Sequence, residues 1–542
     1  MMTAVDWLVV ALYMAAMIGI AIVIARGQRD RRDYYLGGNR SGPVSIALST
    51  MATQCSTNSI LGAPAFVAFS VGGGLLWLQY ELAVPLAMIV IMTLLLPTLR
   101  SLRLVSVYAY LERRFGLATR LTMSLVFQLV RAFATGVTVY GAGLILAICL
   151  DTDFLTAVLL LATVTIVYDA IGGLRAVIVS DVIQLAVLSI AILLAIWVAV
   201  DALGGVRAVF ASVPSERLTS LDFSHTGWGD GHDYAFWPML FGGLFLYVSY
   251  YGCDQSQTQR LLASRSVADG NRALLLNGLL RFPLVLSYCL LGVCLAAYAN
   301  MDPGFVERLP LRTDGTGEAA PNFNLAVPQF IFEQFPPGLV GLVMVGLFAA
   351  AMSSLDSVLN ALSATTMEDL VRRFRRQPLS IRREFILAKL LTVFWGLVTL
   401  IMAFYVEAIA DSVLVAINMI GSLINGPLLA VFLLGILTRR TGEPGVLCGL
   451  GAGFGINLYL AWGHPDISWL WWNVTGFVAT WLTAVLVSLG LPRMDAAESA
   501  SDFDASGLAR AWWPAYGSLL AWALLIALVA FGFTALGQAQ SA

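Results

Sequence analysis

The sequence predicts an all-α integral membrane protein of about fourteen transmembrane helices, with a core of two inverted repeats of five helices each. Three observations predict it. The 542-residue chain is 59% hydrophobic and only 12% charged, a composition outside the soluble globular range. Its apolar residues gather in runs of about the 20 residues that a helix needs to cross a bilayer core. Two of those runs, five spans apart, are interrupted by polar residues and by glycine or proline, the sequence sign of paired broken helices.

The spans fall at about 5–24, 44–70, 75–97, 121–149, 156–171, 176–200, 236–258, 273–299, 338–366, 386–407, 412–437, 445–462, 469–490 and 512–535. The first run has no basic flank and no small-residue cleavage site, so it reads as a retained anchor. With the N-terminus outside, most of the 31 Lys and Arg residues fall in inner loops, and only Arg207, Arg217, Arg308 and Arg312 fall in outer ones. That is the bias expected of cytoplasmic loops, and it fits a multi-pass plasma (inner) membrane protein. Arg372, Arg373, Arg375 and Arg376 extend it as an anchor at anionic lipid heads. Trp77, Trp228, Trp237, Trp462, Trp469, Trp471 and Trp472 read as an interfacial belt. The chain divides into an extra helix and inner loop (1–42), a first repeat (43–200), an outer loop (201–234), a second repeat (235–437) and three further helices (438–542).

Composition also excludes functions. A net charge of -2 argues against nucleic acid as a partner. The six cysteines lie in or beside spans without a CxxC pair, so neither a disulfide framework nor a metal cluster is expected. His225, His232 and His464 all lie in loops, which argues against a histidine-based metal site or a catalytic triad. Without an HExxH or a phosphate loop, the chain is not expected to be an enzyme. The partners expected are the lipid bilayer and a small-molecule solute, with no obligatory protein partner evident. A channel stays open as an alternative.

The chemistry sits in three spans. In the ninth, Ala350, Ser353, Ser354 and Ser357 share one helical face, with Asp356 at its edge. Hydroxyls and a carboxylate at bilayer depth persist mostly where they face a cavity, a partner helix or an ion path. Hard cations take oxygen ligands, so this face suggests an alkali-cation site. In the second span, Thr53–Ser59 is a polar run followed by Gly62 and Pro64. Non-helical backbone at that depth is tolerated where it lines a cavity. In the seventh, Tyr247–Gln255 mixes aromatics, glycine and polar groups. Arg131 stands alone in an apolar stretch of the fourth span, and its planar fork suits a carboxylate. Three readings stay open for it: a substrate carboxylate, an internal ion pair with Glu81, or snorkelling to the inner face. Arg281 reads as a gate or interface residue.

Four blocks carry a resemblance. They are Tyr168–Val177 running on to Ser180–Gln184, Gln255–Arg260, Ala349–Ser357 with Asn360, and Gly426–Gly435. Together, and in this order, they resemble the sodium:solute symporter family. The resemblance implies a five-plus-five, leucine-transporter-like core and sodium-coupled uptake of a small organic solute by alternating access, with Na+ as the coupling ion. It implies a sodium site from the carbonyls of Ala52, Cys55 and Ala350 and the hydroxyls of Ser353 and Ser354. Asp181, with Ser353 and Ser357, matches a second sodium site of some relatives, and Asp356 stands there where some relatives have a hydroxyl. An interface position near Arg175 is the plainer reading of Asp181. The resemblance sets Thr57, Asn58, Ser59, Glu81, Arg131, Tyr247, Tyr250, Arg281 and Asn418 around the central cavity. Ser59, Tyr247 and Asn418 depart from the family's sugar carriers. The substrate expected is a small carboxylate-bearing anion; a neutral sugar, polyol or amino acid, or coupling to protons, is the alternative.

Overall fold

The computed structural model describes residues 2–313, 319–406, 413–491 and 510–541. Within them the chain is almost wholly helical, as expected of a backbone that must satisfy its own polar groups in lipid. The helices that matter below are α1 (Ala4–Ala25), α2 (Pro43–Gln54), α3 (Thr57–Phe69), α4 (Gly74–Ser101), α5 (Leu117–Leu150), α6 (Phe154–Ala202), α7 (Gly243–Gly252) and α8 (Gln255–Leu262). They continue with α9 (Val267–Met301), α10 (Leu339–Thr365), α11 (Ile381–Val406), α12 (Val413–Leu437), α13 (Glu443–Gly463), α14 (Trp471–Gly490) and α15 (Trp513–Ser541).

Eleven helices among the described residues are long and apolar enough to cross a membrane, against the fourteen spans expected. The second and seventh expected spans are not among the eleven, because each is cut in two: α2 and α3 form one, α7 and α8 the other. The fifth and sixth expected spans are two helices that meet at a kink within α6, a stretch of 49 residues. It turns without a loop at Gly173, whose backbone (φ 55°, ψ -167°) is one that a side chain rarely adopts. The hairpin Leu311–Thr313 with Ala319–Pro321 adds a small antiparallel sheet to an outer loop.

The core is assembled around α10, which is buried along nearly its whole length and packs on α6, α5, α11 and the α2–α3 pair. α9 lies against α2 and α3, where Gly292 meets Pro64 and Val67 so closely that a Cβ would sit 2.8 Å from the Pro64 carbonyl. α13 and α14 pair on the outside of α12. The six cysteines are unpaired.

At Gly173 an added Cβ would lie 2.7 Å from the Tyr34 carbonyl as well as demanding a strained backbone. Gly173→Ala is expected to lower stability by about 1–3 kcal/mol, read as a lower melting temperature of the purified protein.

Candidate functional site: two broken helices and a cavity between them

The first break follows from its sequence. α2 stops at Gln54, Cys55 leaves helical geometry (ψ 76°), and Ser56 is extended before α3 begins. The Ser59 amide turns to the Ser56 carbonyl at 2.8 Å, so the Cys55 carbonyl lacks the donor that a continuous helix would give it. The second break mirrors it. α7 ends at Gly252, Cys253 is non-helical, and Asp254 is extended and caps α8 by accepting from the Ser256 amide at 2.8 Å.

Oxygens gather opposite the first break. The Ser353 hydroxyl lies 3.1 Å from the Ala52 carbonyl and 3.2 Å from that of Ala350. The Ser354 hydroxyl lies 3.1 Å from the Ala350 carbonyl and 3.5 Å from that of Thr53. Ala52, Ala350, Ser353 and Ser354 therefore meet in one cluster, an all-oxygen set of the kind a hard cation takes, and Cys55 lines the same cavity as Ser354.

Farther along α10 lies a buried ionic group. Asp181 is fully buried, not at an interface near Arg175; it accepts from Ser49 at 2.5 Å and from Arg260 at 3.1 Å. Asp356 accepts from Tyr168 and, at 3.0 Å, from Ser357. Ser357 also reaches Thr53 at 2.8 Å and accepts from Arg260. Asp169, fully buried, accepts from Asn360 at 3.4 Å. Three buried carboxylates thus face one buried guanidinium.

The cavity, about 260 Å³, opens beside the first break and against α7. Ser59, Arg131, Tyr247 and Tyr250 line it, as do Gln54, Cys55, Arg281, Tyr288, Ser354 and Asn425. Thr57 is buried nearby but does not line it, and its hydroxyl has no partner among the described residues. The side chain of Asn58, and that of Asn418, lie outside the described residues. Trp77 lines the cavity and packs edge-on against Phe66 and Tyr80, so it does not belong to an interfacial belt.

The arginine pairings differ from those expected. Glu81 holds Arg281, not Arg131, with both oxygens: 2.8 Å to Nε and 2.9 Å to Nη2. Nη2 also donates to Tyr247 at 2.9 Å, and Nη1 donates to Tyr251 at 3.0 Å and to Gln54. All five N–H groups of Arg281 are engaged, so it is a buried wall residue and not an interface one. Arg131 instead pairs with Asp254 at the second break, with Nε at 2.7 Å and Nη2 at 2.5 Å from the same oxygen. Its Nη1 has no partner among the described residues. The guanidinium stands 4.9 Å from the Tyr250 ring centre, a cation–π contact. Arg260 stands in a block that the resemblance singled out and Asp254 just before it, in the polar run of the seventh span, but nothing local says that they reach residues 79 and 123 positions away. The usable signal was that an arginine inside a span needs a carboxylate at its own depth.

Comparisons with known proteins identify the family and the fold. The profile of the sodium:solute symporter family matches residues 34–453. The chain belongs to that family. It is 31% identical over 449 residues to the human sodium/iodide cotransporter, covering 82% of this chain and 67% of that one. It is 27% identical to the sodium/sialic acid symporter NanT of Aliivibrio fischeri, covering 86% and 89%, and 29% identical to the human sodium-coupled monocarboxylate transporter 1, covering 84% and 73%. Its fold matches that of a substrate-bound, outward-open Na+-coupled sialic acid symporter with a TM-score of 0.81 at 24% identity, over 91% of this chain and 99% of the other. This family member is therefore a sodium-coupled membrane transporter and not an enzyme.

Removing one partner of a buried ion pair leaves an uncompensated charge, which costs about 3–5 kcal/mol. Arg281→Met is expected to lower the melting temperature strongly. Glu81→Gln in that background should recover most of the loss; no recovery would mean that the pair with Glu81 is not what makes Arg281 necessary.

Proposed function

We propose that the protein imports a small carboxylate-bearing organic anion together with sodium, across a plasma (inner) membrane, by alternating access. The observation that carries this reading is that the ion cluster and the cavity share the first break. Ser354 and Cys55 belong to both, so an ion bound by Ala52, Cys55, Ala350, Ser353 and Ser354 braces the backbone that forms the solute cavity. Ordering one site for the other is positive coupling between two ligands. Rocking of the units 43–200 and 235–437 about the two breaks would then expose both to the inner side.

Arg131 supports the carboxylate. Its unengaged Nη1 edge sits in the cavity wall beside Ser59 and Tyr250, and a guanidinium edge suits a carboxylate. The names of the relatives point the same way, since iodide, sialic acid and monocarboxylates are all anions at neutral pH. The buried group of Asp169, Asp181 and Asp356 supports a second cation step along Ser353 and Ser357. One guanidinium cannot balance three carboxylates, and uncompensated charge inside a membrane is costly. Each charge moved inward gains about 2.3 kcal/mol per 100 mV of membrane potential.

A second reading has one observation in its favour. Both cavity arginines already have carboxylate partners, Asp254 and Glu81, so the cavity as folded carries no net charge. That arrangement also suits a neutral sugar, polyol or amino acid.

Melting temperatures measured with carboxylates, sugars and amino acids, in sodium and then in potassium, separate the two, because a ligand raises the melting temperature by mass action. A rise that needs sodium and a carboxylate together supports the first reading; a rise with a neutral solute alone supports the second. Ser354→Ala should weaken the sodium effect without unfolding the protein. A hydrogen bond to a charged group contributes about 1.5–3 kcal/mol, so Arg131→Gln should raise the KM for a carboxylate solute about ten- to a hundredfold. An unchanged KM would make Arg131 a partner of Asp254 alone.

A further inference from the structure

Away from the cavity, one group of three potential metal ligands comes together among the described residues: Asp222, His225 and His232, whose ligand atoms all lie within 4.8 Å of one another. They stand on the long loop between α6 and α7, which the basic-residue bias assigns to the outside. The sequence reading saw two loop histidines there and expected no site.

The loop is built to hold these side chains in place. Its glycines at 227, 229 and 231 take left-handed conformations (φ 65°, 79° and 71°) and turn the chain back on itself. Asp230 ties the turn by accepting from the amides of Thr226 (2.7 Å), Gly227 (3.0 Å) and His232 (3.1 Å). Burial pushes the Asp230 carboxyl up, but these hydrogen bonds outweigh it and hold it at about 2. The ends of the loop are pinned as well. The Phe236 amide donates to the Asp222 carbonyl at 2.8 Å, and the Ser468 amide donates to the Gly227 carbonyl at 2.9 Å.

The turn brings the two imidazoles face to face, with ring centres 3.5 Å apart and planes at 19°. His225 Nδ1 lies 2.8 Å from an Asp222 oxygen. An ordinary surface pair would account for that contact, and such pairs contribute little. It would not account for His232, whose ring nitrogens have no hydrogen-bond partner among the described residues. Asp222 offers a carboxylate oxygen, and the Ser224 hydroxyl donates to its other oxygen at 2.5 Å.

We propose that Asp222, His225 and His232 bind a divalent transition-metal ion of the zinc class on the outer face. Two imidazoles and one carboxylate suit zinc and its neighbours, whereas magnesium and calcium prefer oxygen alone. Tetrahedral zinc bonds of about 2.0–2.2 Å place ligand atoms about 3.4 Å apart, so the ligand atoms, already within 4.8 Å of one another, have little distance to close, while one imidazole turns out of the stack to aim its ring nitrogen at the ion and solvent fills the fourth position. The bound ion would stiffen the cavity's outer wall. The Asp222 amide donates to Gln79 at 3.2 Å, Gln79 donates to the Tyr234 carbonyl, and the Tyr234 ring packs on Phe66 of that wall, 4.8 Å between centres.

The test is calorimetric titration of tag-free, full-length protein in detergent with zinc chloride, with and without excess magnesium. The expected result is one zinc ion bound per chain, unaffected by magnesium, lost in His232→Ala and in Asp222→Asn, and retained in His464→Ala. The variants should keep the wild-type melting temperature, since the ligands lie on a loop. Absence of zinc binding to the wild type, equal binding to His232→Ala, or displacement by magnesium would each overturn the proposal.

Discussion

The rest of the structure depends on one constraint: a backbone carbonyl or amide inside a bilayer has to find a partner within the protein. Continuous helices meet it automatically. Among the described residues, the interruptions at Cys55–Ser56 and at Cys253–Asp254 do not. What surrounds them makes up the difference. At the first, hydroxyls of α10 approach the carbonyls of α2. At the second, the Asp254 side chain caps the new helix and then binds Arg131. The oxygen cluster and the cavity thus stand where helices are interrupted at membrane depth.

Charge obeys the same logic. Each buried arginine near the cavity has a carboxylate: Arg131 has Asp254, Arg281 has Glu81 and Arg260 has Asp181. Each pair joins elements distant in sequence, so the pairs fix how the helices sit together. Arg120 joins Asp369 in the same manner. Asp169 and Asp356 are the departure from this pattern, because their side-chain hydrogen bonds come from Asn360, Tyr168 and Ser357 and not from a cation.

Much of this was legible in the sequence because the relevant signals are local. Hydropathy located the helices, Pro64 and the polar run Thr53–Ser59 marked the first break, and the spacing of Ser353, Ser354 and Ser357 set them on one face. What the sequence left open was pairing at a distance. Arg131 could be recognised as needing a carboxylate, but Glu81 and Asp254 were equally polar positions in apolar spans, and the packing of α5 against the second break decides between them. Arg281 read as a boundary residue because hydropathy does not report depth within a helix as long as α9.

The full engagement of Arg281 has a consequence for molecular design. A ligand in the cavity meets two guanidinium groups by composition but only one by valence, because Glu81, Gln54, Tyr247 and Tyr251 have already claimed every donor of the other. An inhibitor scaffold with two acidic arms would find a single docking point and strand its second arm against tyrosine rings. A compact monoacid with an apolar body matches the pharmacophore that these walls actually present.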